Sequence, residues 1–577
     1  MSLIEQNESA NLESTNIFSL GGIEEIGKNM FIFEHKDEIW IIDCGIKFTN
    51  PAVSMGFSAI VCPFDYVVKN IDKVQGLIIT HGHEDHIGGI PYLLTTIGIK
   101  KIYAGKMAKS IIEGKLKEFK NLNPYEIIEY SDKTVLESKY FNIDFFRVRH
   151  SIPDSFGVCL QTPSGKIVQT GDFRFDFLAS GDQSDMWKMV EIGKRGIDVL
   201  LCESTNALSP GFSNSEKYVV DELKREIKIA KGRIFMSIFA SNMSRIDEII
   251  RTAIANKRKV VLLGRAMINN VQSSISAGIL KVPKSEIISV QDYNDAQYPE
   301  NQLFFLMTGS QGEEMAALNL IASGKHSSIQ FNDRDLVILS SNPIPGNYEQ
   351  VESLINKLYK TGVNVNINSS EKNLHSTGHA TQTESQLLIK LICPKYIVPV
   401  HGSFDQMTAL RKNGEFSGVP HDNLLVVVNG QKIKLFNNHT AVITDEFVDI
   451  YPNFVDSNNK LNKDSVELFN NRLKLSENGI VAVTVKVDKK AKKVLETPLI
   501  STKGCFSVTN SKNLIDTIIS AIKKNIESAM AAKENNIGDG EIKKIVESTT
   551  EYYSWKYKNK KPLVKTIIFT AENPVHL

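Results

Sequence analysis

Between residues 81 and 86 the chain reads HGHEDH, which places His81, His83, Asp85 and His86 within six positions. Four such side chains in so short a run cannot all turn inward and be satisfied in a core, so they point to metal ligation. Imidazole and carboxylate together suit zinc or manganese, and a pair of ions needs about six to eight protein ligands. Three more candidates stand at strand ends: His150 closing FNIDFFRVRH, Asp172 in QTGDFRFD and His401 in IVPVHGS. Each alone reads as a cap or a surface residue, but beside HGHEDH they complete a dinuclear centre. Two divalent cations close together lower the pKa of a shared water and stabilise charge on attacking and leaving oxygens, so phosphodiester hydrolysis is the expected reaction. Asp43, Asn29 and Asp154 are candidates for orienting the imidazoles from behind, although each equally suits a turn or a cap.

The elements that carry these residues are legible as apolar runs. IWIIDCG, VQGLIITHGH, GKIVQTGD and DVLLCEST each run straight into polar residues, the usual position of a site in an α/β fold. From about 214 to 378 the rhythm becomes strand–helix alternation: GRIFMSIF before SNMSRIDEIIRTAIANK, KVVLLG before RAMINNVQSSISAG, LFFLMTGS before GEEMAALNLIASGK, DLVILSS before NYEQVESLINKLYKTG. That pattern predicts a mostly parallel, doubly wound sheet. Because strand and metal-type character returns at PKYIVPVHGS, this unit is inserted into the first domain. The expected organisation is a disordered tail over 1–16, a first domain split between 17–213 and 379–450, the insertion at 214–378, and a linker with a small α/β domain over 451–577. YPNFVDSNNKLNKD reads as the linker. GIVAVTVKVD, NLIDTIISAIKKNIESAMAAK and LVKTIIFTAE read as strand, amphipathic helix and strand.

Composition narrows the class without choosing it. The chain has 577 residues, 42% hydrophobic and 23% charged, with a net charge of +1, so bulk charge gives no hint of nucleic acid. No apolar run is long enough for a membrane span, and no membrane partner is expected. The six cysteines form no CxxC pair and read as buried free thiols of a cytoplasmic protein.

Taken in order and spacing, GGIEEIGKN, IDCGIKF, THGHEDHIGGIPYLL, HSIPDS, TGDFRFDF, ESTNA, FASNMSRI, TGSQGEEMAAL, SSNPIPGN, STGHA and VPVHG resemble one family. It is the bacterial ribonuclease J family, the branch of the metallo-β-lactamase fold that carries an inserted β-CASP domain. The likeness spans about residues 17–450 and is weaker beyond. It implies an αββα sandwich with the insertion, and RNA as substrate. By resemblance, His81, His83 and His150 hold one ion, Asp85, His86 and His401 the other, and Asp172 bridges, with zinc the first choice and manganese the second. His379 of HSTGH matches the general acid and Glu203 of CESTNA its orienting carboxylate; a histidine can give up a proton near neutral pH. His375, Ser376, Thr377 and Gly378 match one substrate-holding segment, and Ser241, Asn242 and Met243 another at the start of a helix. Thr377 stands where relatives usually have serine. The loop TNPAVSMGFSAI lacks the acidic residues that many relatives carry for a further calcium.

The implied activity is 5′-to-3′ trimming of 5′-monophosphorylated RNA together with internal cleavage, in RNA maturation and decay. The family habit implies a homodimer or homotetramer through the C-terminal domain, with a paralogous subunit as a possible partner. A DNA-processing β-CASP nuclease is the near alternative, because metals and a general acid do not read the sugar. A catalytically silent RNA-binding partner of an active paralogue is disfavoured by the filled ligand positions. A small-molecule hydrolase such as a thioesterase leaves the insertion and HSTGH without a role.

Overall fold

The computed structural model describes residues 12–571 apart from 50–53, 179–180, 182, 277, 296–297, 345–346, 370, 457, 462–464 and 533–536. These fall into two compact units, one built from 1–50 and 57–461 and the other from 51–56 and 462–577.

In the first unit the apolar runs pair into two sheets packed face to face. One sheet runs, edge to edge, Ala441–Phe447, Gln431–Phe436, Ser14–Gly21, Met30–His35, Glu38–Ile42, Val74–Ile79, Ile99–Ala104 and Tyr125–Glu129. The other runs Tyr396–Val400, Val199–Glu203, Gly165–Gln169, Ser155–Thr162, Asn142–Val148 and Val135–Glu137. Phe31, Phe33, Trp40 and Ile78 of the first sheet meet Phe145, Val158, Ile167 and Val398 of the second in one core. Alternate residues of each strand face outward and are covered by helices, Ile90–Thr96 and Lys106–Leu116 on one side. Met186–Lys194, Gln382–Ile392 and Phe404–Phe416 cover the other. The layering is αββα, as expected.

The insertion is a six-stranded sheet in the order Ile287–Ile288, Lys259–Leu263, Leu303–Met307, Ile234–Ser237, Leu336–Leu339 and Asn364–Ile367, parallel throughout. Apolar residues on both faces are buried under helices, which is why these strands read as unbroken hydrophobic runs. The second unit carries Ile480–Asp488 at the centre of a small sheet. Leu563–Thr570 lies parallel to it on one side, and Lys493–Val494 and Leu499–Lys503 pair with it antiparallel. Val481, Val483, Val485 and Val487 pack under the helices Lys512–Ala532 and Asp539–Lys558.

Three expectations are corrected. Residues 14–16, placed in a disordered tail, are strand, because they begin Ser14–Gly21, an interior strand that pairs with both Met30–His35 and Gln431–Phe436; residues 1–11 lie outside the described part. The linker over 451–464 carries the strand Asn453–Asp456, antiparallel to Phe57–Val61, because Phe454 and Val455 bury their side chains. The thiols are all free, but Cys393 is exposed and Cys505 only partly covered.

Candidate metal centre

The strand Val74–Ile79 is fully apolar where it crosses the core, and its end delivers Thr80 and His81 to the rim of the sandwich. A short helix, Glu84–Ile87, then turns Asp85 and His86 back to the same point. His150 follows Asn142–Val148, Asp172 follows Gly165–Gln169 and His401 follows Tyr396–Val400, so four strand ends converge. The side-chain atoms fall into two groups that share Asp172. His81, His83, His150 and Asp172 form one; Asp85, His86, His401 and Asp172 form the other, each with its ligand atoms within 4.8 Å of one another. Asp172 Oδ2 is the hub, 3.6 Å from His81 Nε2, 3.3 Å from His86 Nε2, 3.7 Å from His150 Nε2 and 3.5 Å from His401 Nε2.

A fixed partner behind each ring decides which nitrogen faces inward. Asp43 accepts from His86 Nδ1 at 2.7 Å and from the Thr80 N–H at 2.8 Å. Thr80 Oγ1 lies 3.1 Å from His81 Nδ1, and Asn29 Oδ1 accepts from His401 Nδ1 at 3.0 Å. The Gly378 carbonyl accepts from His150 Nδ1 at 2.7 Å. Such contacts fix tautomer and orientation. Asp43 and Asn29 therefore stand where expected. Asp154 accepts from the Met107 N–H and pairs with Arg147, anchoring its own loop.

Burial holds His81 well below the usual imidazole range, with His86 adding to the effect. It does the same to His150, helped by His83, and takes His83 down to about 4. These three rings stay neutral and keep a lone pair to donate. His83 Nδ1 lies 3.0 Å from both His81 Nε2 and His150 Nε2. Burial also opposes charge on His86, but Asp172, Asp85 and Asp43 outweigh it and lift that ring well above its usual range. Burial pushes the Asp172 carboxyl up; His401, His86 and His379 prevail and hold it well below the carboxylate range. Asp172 Oδ2 and His401 Nε2 are buried with no hydrogen-bond partner, the 3.3 Å approach of His86 being a charge contact without hydrogen-bond alignment. Buried acceptors aimed at one point are costly unless a cation meets them, so this donor set fits two divalent ions.

A third group joins Asp172, Glu203 and His379. Glu203 ends the strand Val199–Glu203; its Oε2 accepts from His379 Nδ1 at 2.8 Å, and its Oε1 accepts from the Phe173 N–H at 2.9 Å. Burial opposes charge on His379, but Glu203 and Asp172 raise it to about 9. With Nδ1 engaged, Nε2 is the nitrogen left for a ligand.

The segment 375–379 is held by two buried arginines. Arg174 donates to Ser376 Oγ and the Thr377 carbonyl, and also to Asp176. Arg245, on the helix Met243–Ala255, chelates Glu216, donates to Ser340 O at 3.1 Å and reaches the Ser376 carbonyl at 3.4 Å. With both carbonyls turned to guanidinium groups, the N–H groups of Thr377 and Gly378 point the opposite way across their planar peptides. Thr377 Oγ1 accepts from Asn206 Nδ2 at 2.9 Å and from the His379 N–H at 3.1 Å, leaving its own proton to donate. Asn242, Ser244, Ser376 and Thr377 line one small cavity with Arg149, His150 and Arg174. Asn242 also caps the helix, accepting from the Arg245 N–H. Ser241 and Met243 are not among its lining residues; Met243 is 1% exposed, in the core, and Ser241 only begins the turn. His375 lies against Arg245 at 3.4 Å, and burial takes it down to about 3. Thr80, Arg174, Arg245, Asn206 and Glu216 were not singled out from sequence. Thr80 directly precedes HGHEDH, and Arg174 and Arg245 sit inside TGDFRFDF and SNMSRI, so their positions were the available signal.

Sandwich, insertion and paired ligand groups define a metal-dependent hydrolase of the β-CASP type, and comparison with known proteins agrees. The metallo-beta-lactamase superfamily model matches residues 24–188, and that of the Zn-dependent metallo-hydrolase RNA specificity domain matches 347–424. Models of the ribonuclease J beta-CASP domain and the ribonuclease J C-terminal domain match 231–358 and 468–571. Ribonuclease J of Mycoplasma pneumoniae is 42% identical over 96% of this chain and 97% of its own length. Ribonuclease J 1 of Streptococcus pyogenes is 36% identical over 98% and 99%, and ribonuclease J2 of Bacillus subtilis 30% over 97% and 99%. A solved structure of a protein of unknown function from Enterococcus faecalis shares the fold at a TM-score of 0.50, with 16% identity, over 75% of this chain and all of its own. The chain belongs to the ribonuclease J family and is a metal-dependent nuclease of RNA processing and decay. No helix among the described residues is long and apolar enough to cross a membrane.

Proposed function

We propose that this chain removes nucleotides 5′-to-3′ from 5′-monophosphorylated RNA and also cuts internally, leaving 5′-phosphate and 3′-hydroxyl ends. The observation that carries it is the sharing of Asp172 between two ligand groups and the His379–Glu203 pair. His81, His83 and His150 would hold one ion and Asp85, His86 and His401 the other, with Asp172 common to the two groups. Zinc is the first choice, since imidazole outnumbers carboxylate; manganese is the second. When bound, the ions activate the attacking water and offset charge on the scissile phosphate.

The remaining work falls to side chains. His379 Nε2 carries the proton that the departing 3′ oxygen needs, and Glu203 holds the ring and sustains its charge. Thr377, Gly378 and Asn242 offer N–H and O–H donors to the terminal phosphate, and Arg174 and Arg245 hold that loop in place. The chain works in the cytoplasm, in keeping with its free thiols, as a homodimer or homotetramer or with a paralogous subunit. A time course on end-labelled RNA bearing 5′-monophosphate, 5′-triphosphate or 5′-hydroxyl, beside DNA of the same sequence, tests the reading. Rapid stepwise loss only from monophosphorylated RNA is expected; equal trimming of all three ends, or of DNA, would overturn it.

A further inference from the structure

The net charge of +1 conceals a strong separation. The second unit holds 20 Lys and Arg against 13 Asp and Glu over 462–577 and so carries +7, while the first unit carries −6. Two divalent ions would offset only part of the −6, so the first unit still gains little from long-range attraction of a polyanion, and the second unit is built the other way.

Part of that positive charge lies on one face of the small sheet. The odd-numbered valines of Ile480–Asp488 go under the helices, so Ile480, Ala482, Thr484 and Lys486 face the other way. Register places Lys503 opposite Ile480 and Lys565 opposite Ala482, on the two flanking strands. Both lysines are exposed and make no ion pair among the described residues. Thr484 lies between Leu499 and Ile567, which are 70% and 44% exposed, and Lys486 stands opposite Phe569. Lys486 pairs with Glu496 at 2.6 Å. The strand then runs into a turn, DKKAKK, in which Lys489 pairs with Asp539 at 2.7 Å and Lys490, Lys492 and Lys493 add further positive charge. From the row of Lys503 to this turn is about 27 Å at the rise of an extended strand.

We propose that this open face is a second RNA-binding surface, on which the single-stranded body of the substrate lies with phosphates on the lysines and bases on Leu499, Ile567 and Phe569. The proposal rests on RNA being the substrate. Charge complementarity selects this occupant over a second copy of the chain. Two such faces meeting would oppose lysine to lysine, and the apolar side chains are divided by Lys486 and Lys565 rather than joined into a patch.

The test uses the full chain with its metals and the variant K503Q/K565Q, on 5′-monophosphorylated uridine 6-mers and 40-mers across a range of salt. Single-strand contacts contribute about 0.7 each to the salt slope, so losing two lowers the slope of log KM against log salt by about 1.4 for the 40-mer. KM at 0.1 M salt then rises about 25-fold, with kcat and all 6-mer constants unchanged. An unchanged 40-mer KM and slope would overturn the proposal. So would a change confined to sedimentation behaviour, which would assign the face to self-association. If the unaltered chain cleaved neither RNA, the ribonuclease reading itself would fail.

Discussion

At the scale of single residues, the seven ligand side chains and His379 should separate cleanly by experiment. His83→Ala or Asp85→Ala removes a donor from a group of four, so both metal content and cleavage should be lost. His379→Ala should slow cleavage about 10²–10⁴-fold, the usual worth of a general acid, with metal content unchanged by atomic emission. Metal loss in that variant would contradict its assignment. His375 gives a different signature. Its pKa falls from about 6.5 in the unfolded chain to about 3 in the fold, so between those values only the unfolded chain binds the proton. Stability should therefore drop as pH falls through this window, by up to about 1.4 kcal/mol per unit. In His375→Gln the dependence of unfolding free energy on pH should be shallower by that amount, as urea titrations at several pH values would measure. HGHEDH was legible because its ligands are contiguous and too polar to bury unpaired. The supporting residues were not. Thr80, Arg174 and Arg245 are ordinary types whose meaning lies in what they touch, and those partners are up to 203 residues away in sequence.

Elements were legible where burial was complete. The strands Val74–Ile79, Val199–Glu203 and Tyr396–Val400 show as apolar runs because helices or a second sheet cover both sides. The strand Asn453–Asp456 was hidden because only Phe454 and Val455 mark it among polar residues. Behind Leu303–Met307 the helix is only Ala317–Ala322, since TGSQGEEM spends its length in turns around Gly309 and Gly312, both at positive φ. The loop 375–379 is the element where backbone geometry matters most. A Cβ on Gly378 would stand 2.8 Å from His150 Cε1 and 3.0 Å from its Nδ1. Gly378→Ala should therefore displace a ligand ring and lower occupancy of the His81–His83–His150 group, seen as release of about one metal ion per chain to a chromophoric chelator. Retained stoichiometry with normal activity would show that the loop can yield.

For the whole molecule, two units with separate cores imply two unfolding events. Among the described residues, the ligand groups lie only in the first unit. Saturation at 100 times Kd stabilises by about 2.7 kcal/mol, so a chelator should lower one calorimetric transition and leave the other in place. A shift of both would mean that the units unfold together. The αββα layering with its insertion was legible, because alternation and the return of strand character at Tyr396–Val400 leave few topologies. The charge separation between the units was not seen, since the sum over 577 residues cancels it.

The Gly378 carbonyl accepts from the His150 ring, Thr377 Oγ1 receives the His379 amide, and Glu203 accepts from the His379 ring, so three consecutive residues tie one ligand group to the His379–Glu203 pair. Under the roles proposed for this loop, recognition and turnover therefore have no separate dials. An engineer wishing to retune the enzyme for another 5′ end would find that changes within 375–379 alter rate along with preference. Two adjustable positions are Asn242 and Ser244, which line the cavity at the start of the helix Met243–Ala255 and belong to none of the ligand groups.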